Sequence, residues 1–217
     1  MSKLIVAGCS VSDYTNVNKV WGDYLSELLH YDYLHEAAGC GSNYRMWRVL
    51  TTHILNGNIT PDDTVIVQYT ALERNEFWSP IVEDNYLRDP LHNGDIIRFK
   101  SHSYSWHNGS EAKLMKLYER FISDDFEKEK FTNNHMMFQC LAKEYNIKKL
   151  YFIKVGAYGL EDLSFLNQYK NNFFVYSDIF DNIKNHIKDD PYHLSDAGHK
   201  LLADKIFDKM QTKEVII

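Results

Sequence analysis

The feature that most constrains this chain is the regular exchange of short apolar runs with stripes of helical period over its first seventy residues. Lys3 to Gly8 is a brief apolar run closed by glycine, the pattern of a buried strand. Trp21, Tyr24, Leu25, Leu28 and Leu29 then recur at helical spacing and form one apolar stripe. Tyr31 to Ala38 fits a second strand, and Ser42 or Asn43 can cap a helix that carries Met46, Trp47, Leu50 and Ile54 inward. Thr64 to Gln68, announced by the turn residues Pro61-Asp62-Asp63, is the third buried strand. Strands alternating with helices imply a parallel sheet, because parallel neighbours need a crossover that a helix supplies.

Beyond the third strand the pattern loosens. Residues from about 77–110 combine Pro80, Pro90, Gly94 and many aromatics without a clean period and read as an irregular insertion. Two helices follow, Glu111 to Phe126 and Glu127 to Tyr145, then a fourth strand at Lys149 to Val155 and a short fifth at Phe173 to Tyr176. Ser195 to Met210 closes the chain as a helix with Leu202, Ile206 and Met210 inward. Five parallel strands wound by right-handed crossovers make a three-layer α/β/α sandwich, whose ligands bind beyond the carboxyl ends of the strands.

With 217 residues, 44% of them hydrophobic, the chain can bury one full core, so a single domain spanning 1–217 is expected. A net charge of −6 with no basic block argues against nucleic acid or an anionic membrane surface as partner. No apolar run approaches membrane-spanning length, the amino terminus lacks a signal-peptide pattern, and three cysteines form an odd set; the expectation is a cytoplasmic protein with reduced thiols.

The chemistry-bearing residues fall at the strand ends. Ser10 lies two residues past Gly8, in Gly8-Cys9-Ser10-Val11-Ser12-Asp13. A serine hydroxyl becomes a useful nucleophile when an imidazole held by a carboxylate takes its proton. Asp190-Pro191-Tyr192-His193 offers that pair on the loop before the last helix, three residues apart and stiffened by proline. Ser195 fits a helix cap there, and His199 fits a packing role on the last helix.

Taken in order, these blocks resemble the SGNH/GDSL hydrolase family. The shared features are a Gly-x-Ser block near the start, a glycine after the second strand, a block after the third, and Asp190-Pro191-Tyr192-His193-Leu194-Ser195-Asp196-Ala197-Gly198-His199 near the end. The resemblance implies a flavodoxin-like sandwich and cleavage of an ester or acyl group through an acyl-serine, with no metal or organic cofactor. It assigns Ser10 as nucleophile, His193 as general base and Asp190 as its orienter. The N–H groups of Ser10 and Gly41 become oxyanion donors, each worth roughly 3–4 kcal/mol in the transition state. The first block has Cys9 where the family carries aspartate. The third block, Val67-Gln68-Tyr69-Thr70-Ala71-Leu72-Glu73-Arg74-Asn75-Glu76, lacks the family's Gly-x-Asn-Asp and puts Thr70 and Leu72 at its glycine and asparagine. Asn75 is the substitute oxyanion donor in this reading, with Thr70 and Arg74 toward the substrate.

The expected partner is a small-molecule or glycan-linked acyl ester, with hydrolase or transferase outcome open. Phe77, Trp78, Tyr86, Phe99, Tyr104 and Trp106 of the insertion suit a core, an acyl or sugar pocket, a lid or an oligomer contact equally. The competing reading is a non-catalytic binding module on the same fold. A nucleotide-binding protein is disfavoured, because Gly8-Cys9-Ser10 is no glycine-rich phosphate cradle. Cys9 and Cys40 follow neighbouring strands and read as small buried side chains. His92, His102 and His107 lack metal-ligand spacing and read as surface residues.

Overall fold

The computed structural model describes residues 2–14, 17–39, 41–70, 72, 74–78, 96–100, 124–155, 173–176, 179, 182–187 and 190–212. Its framework is a parallel sheet built from β1 (Lys3–Ala7), β2 (Asp32–His35), β3 (Thr64–Tyr69), β6 (Lys149–Lys154) and β7 (Phe173–Val175). They lie in the order β2-β1-β3-β6-β7, and every neighbouring pair is parallel. β3 is buried along its whole length, as a β-branched run covered on both faces should be. The strand order reverses between β1 and β3, so the crevice beyond their carboxyl ends is the switch point where such sheets take ligands. Residues 8–13, 70 and 72 lie at that crevice, past the ends of β1 and β3.

Helices α1 (Trp21–Leu29) and α2 (Asn43–Leu55) follow β1 and β2, α3 (Asp124–Glu144) precedes β6, and α4 (Asp196–Thr212) ends the described chain. Asp23 caps α1 by accepting from the Val20 N–H at 2.9 Å, and Ser42 caps α2 by accepting from the Arg45 N–H at 3.1 Å. α1 packs against α4, and α2 against α3. The α1 stripe is real at Trp21 and Leu25, but Leu28 is exposed, because the helix meets α4 over a narrower face than the sequence stripe spans. Leu4, Ile5, Val6, Leu50, Val65, Ile66, Phe152, Leu202 and Ile206 belong to one buried cluster. Each such aliphatic side chain contributes about 1.5–3 kcal/mol by leaving water.

Three expectations are corrected. The break between two helices at Phe126 and Glu127 falls inside the continuous helix α3: no glycine or proline stops it there, and Phe131, His135, Phe138 and Ala142 recur as one buried face. The segment 111–123 lies outside the described residues. The insertion is not irregular throughout, since β4 (Arg74–Trp78) and β5 (Ile96–Lys100) pair antiparallel from Arg74↔Lys100 to Trp78↔Ile96. Finally, Asp190–Leu194 is a strand, β9, paired antiparallel with β8 (His186–Ile187), where a loop was expected.

Candidate active site

β1 ends at Ala7, and after Gly8 and Cys9 the chain turns into one turn of 3-10 helix, Ser10–Ser12. The Ser12 N–H donates to the Cys9 carbonyl at 2.9 Å, closing the turn. Ser10 is half-buried, and no described residue engages its hydroxyl or its N–H. The same turn is bonded on its inner side to the buried Gln68, through Cys9 and Ser12. Cys9 is a buried free thiol, and Cys40 lies outside the described residues.

The C-terminal pair forms as expected: His193 Nδ1 lies 2.8 Å from Asp190 Oδ2, and both side chains are about three-quarters covered. In a regular strand, residues three apart face opposite sides. Here the β8–β9 register jumps from His186↔Leu194 to Ile187↔Asp190, an irregularity that accompanies the approach of the two side chains. With Nδ1–H donating to the carboxylate, Nε2 is the basic nitrogen, and no described residue engages it. β9 packs against the Ser10–Ser12 turn, so residues 10, 190 and 193 come to one rim of the sheet.

Side chains around this rim tie its pieces together. Ser195 caps α4 by accepting from the Gly198 N–H at 3.3 Å, and it anchors to the Asn185 carbonyl through its hydroxyl at 2.9 Å. His199 is buried, as its packing role implied, and its Nδ1 accepts from the Trp21 N–H at 3.3 Å. Burial pushes its imidazole down to about 4, so it is neutral and an acceptor at physiological pH. Trp21 Nε1 in turn donates to Ser12 Oγ at 2.8 Å, linking α4 through α1 to the turn that carries Ser10.

Gly41 sits where a glycine is required. A Cβ on it would lie 2.9 Å from the Ala38 carbonyl and 3.0 Å from the Gly8 carbonyl, so this loop approaches the Ser10 turn backbone to backbone. Its N–H differs from the expectation: it donates to the Ala38 carbonyl at 2.9 Å, because Ala38 to Gly41 closes a tight turn. Only the Ser10 N–H, of the two glycine- and serine-block donors, stands unengaged among the described residues.

Thr70 is buried at the end of β3, and its backbone is locked by Asn43: its N–H donates to Oδ1 at 2.9 Å, and its carbonyl accepts from Nδ2 at 3.0 Å. Arg74 and Asn75 lie in β4, opposite Lys100 and Phe99. His92, His102 and His107 are outside the described residues, as are Tyr86, Tyr104 and Trp106 of the aromatic set. Among the described residues no group of three or more His, Cys, Asp or Glu is arranged to hold a metal ion, and no helix is long and apolar enough to cross a membrane.

Two clamps escaped the sequence reading. One is Asn43, whose only sequence signal is an amide at a helix start. The other is Asp13, whose carboxylate accepts from the Gly39 N–H at 2.7 Å and the Tyr14 N–H at 2.9 Å, and pairs with His35 Nε2 at 3.2 Å. Burial opposes its ionisation, but the bonds from His35, Tyr14 and Gly39 outweigh burial and hold the carboxyl below its usual value. Asp13 thereby joins the exit of the Ser10 turn to the loop that leads to Gly41.

A scan against models of known protein families finds no match, and neither does a search of curated proteins. Solved structures do match over nearly the whole chain. An esterase, EstA, from Pseudoalteromonas sp. has a TM-score of 0.56 at 10% identity, covering 97% of both chains. A lipase/acylhydrolase from Enterococcus faecalis has a TM-score of 0.52 at 12% identity, covering 97% of this chain and 96% of the other. A member of the lipolytic G-D-S-L family from Veillonella parvula has a TM-score of 0.51 at 12% identity, covering 98% and 100%. The α/β fold with its parallel sheet is therefore the fold of the GDSL/SGNH lipases and esterases.

Proposed function

We propose that this protein is a serine hydrolase that cleaves a small ester or O-acyl group through an acyl-serine at Ser10, on a single domain of three α/β/α layers. The observation that carries the reading is the Asp190–His193 pair, formed on a strand that packs against the Ser10 turn at the sheet's switch point. The two separate helix pairs, α1 with α4 and α2 with α3, support the layered arrangement.

In this reading Ser10 Oγ attacks the acyl carbon while its proton passes to His193 Nε2, and Asp190 stabilises the imidazolium that forms. The carbonyl oxygen becomes an oxyanion facing the Ser10 N–H. Collapse expels the alcohol, which takes the proton from His193, and water repeats the sequence to release the acid. Gly41 joins the oxyanion site only if its turn opens and the bond to Ala38 is exchanged for the oxyanion. Asn75 is the third donor in this scheme, and Thr70 and Arg74 line the substrate. The substrate is a small-molecule or glycan-linked acyl ester. One of the matching structures is a carbohydrate esterase whose active site displays divergent catalytic and non-catalytic binding functions, at a TM-score of 0.54 and 9% identity, covering 98% of this chain and 65% of the other.

Hydrolysis of p-nitrophenyl acetate, lost in Ser10→Ala, tests the proposal. The engaged Gly41 N–H and the missing third-block asparagine favour one second reading, a binding module without turnover. It predicts no hydrolysis by either protein and unchanged ligand binding in the Ser10→Ala variant.

A further inference from the structure

Gln68 is the one amide in the run Thr64–Tyr69, between the buried Val67 and Tyr69, and is itself 1% exposed. A primary amide placed there is costly unless its oxygen and N–H groups find partners. They do so in one direction. Oε1 accepts from the Cys9 N–H at 3.1 Å, from Ser12 Oγ at 3.1 Å and from Cys9 Sγ at 3.3 Å. Nε2 donates to the Tyr69 carbonyl at 2.6 Å, which fixes the amide's orientation.

One oxygen atom thus grips the chain on both sides of Ser10, at the residue before it and two residues after. Gly8 makes room for this grip: a Cβ there would lie 2.8 Å from Ser12 Cβ and Oγ and 3.0 Å from Gln68 Oε1. Ser10 itself is left out of the bracket, with hydroxyl and N–H unengaged by described residues. An apolar side chain on this strand would bury as well and would leave three donors without an acceptor.

We propose that Gln68 is a positioning residue for the reaction. Its amide oxygen fixes the Cys9–Ser12 turn on β3 so that Ser10 is held at a constant orientation toward β9. The proposal rests on the reading of Ser10 as nucleophile. It predicts an effect on the rate of acyl transfer rather than on substrate affinity, since Gln68 is buried beneath the turn.

The test compares wild type, Gln68→Met and Gln68→Glu in fluorophosphonate labelling and in kcat and KM for p-nitrophenyl acetate. Methionine keeps the volume and removes both bonding roles. The labelling rate and kcat are expected to fall between about 10- and 100-fold with KM within about twofold, the scale of a small misplacement of a reacting group. Compared with wild type at the same pH, Gln68→Glu closes most of the gap at the acidic end of the assay range, where a buried carboxyl holds its proton and copies both the acceptor and the donor. A wild type that takes no label at Ser10 refutes the hydrolase reading and this proposal with it. A wild type that labels, beside a folded Gln68→Met that labels at the same rate, refutes the role of Gln68 alone. If Gln68→Met does not fold, Gln68→Asn keeps an amide but draws its oxygen back from Cys9 and Ser12 by one methylene, and a severalfold loss of kcat at unchanged KM is expected; wild-type kcat there overturns the proposal.

Discussion

His199 makes the stability of this fold depend on pH in a defined window. It sits in the first turn of α4, buried, with Nδ1 accepting from the Trp21 N–H. Burial pushes its imidazole from 6.5 to about 4; Asp196 raises it and His193 lowers it to lesser extents. The unfolded chain takes up this proton near pH 6.5, whereas the folded chain refuses it until about 4. Stability is therefore complete above 6.5, declines as pH falls toward 4, and is level below that. A proton withheld across that interval costs roughly 3 kcal/mol at its lower end, at about 1.4 kcal/mol per pH unit. Asp13 does not enter this window, because its carboxyl is held below 3.8 and its contribution is lost only as pH falls through that lower value. His199→Gln keeps an oxygen for the Trp21 N–H and cannot titrate. Urea unfolding at pH 7 and pH 4.5 should show wild type losing about 2–3 kcal/mol more than the variant between the two conditions. Equal losses in both proteins would refute the burial argument.

Two further substitutions probe the frame of the site. Asn43→Leu leaves the Thr70 N–H and carbonyl buried without their partner, and unfolding free energy should drop by about 2–4 kcal/mol in urea titration; a neutral result would mean that Thr70 finds other partners. Gly41→Ala forces a methyl against two backbone carbonyls, at 2.9 and 3.0 Å, and should cost about 1–3 kcal/mol by thermal or urea unfolding.

The sheet was readable because β1, β3 and β6 are continuous apolar runs bounded by turn residues, a pattern set locally by burial on both faces. That the segments carrying residues 10, 190 and 193 lie side by side was readable, because the topology sends the end of β1 and the chain before α4 to one rim of the sheet. The β4–β5 pair was not, since Arg74–Trp78 finds its partner at Ile96–Lys100, beyond residues 79–95, and pairing at that sequence distance leaves no local period. The Gly41 turn was missed for a related reason. Sequence shows that a glycine is needed, but the same residue serves a donor aimed at a ligand and a turn closed on Ala38. Gln68, Asn43 and Asp13 carry bonds to backbone groups far along the chain, which residue type alone does not announce.

The most direct measurement is reaction of the intact protein with a fluorophosphonate probe, followed by protease digestion and mass mapping of the modified peptide. The account predicts one adduct, on Ser10, formed much more slowly in Asp190→Asn, where the imidazole loses its carboxylate. No adduct, or an adduct on another residue with Ser10 unmodified, would contradict it.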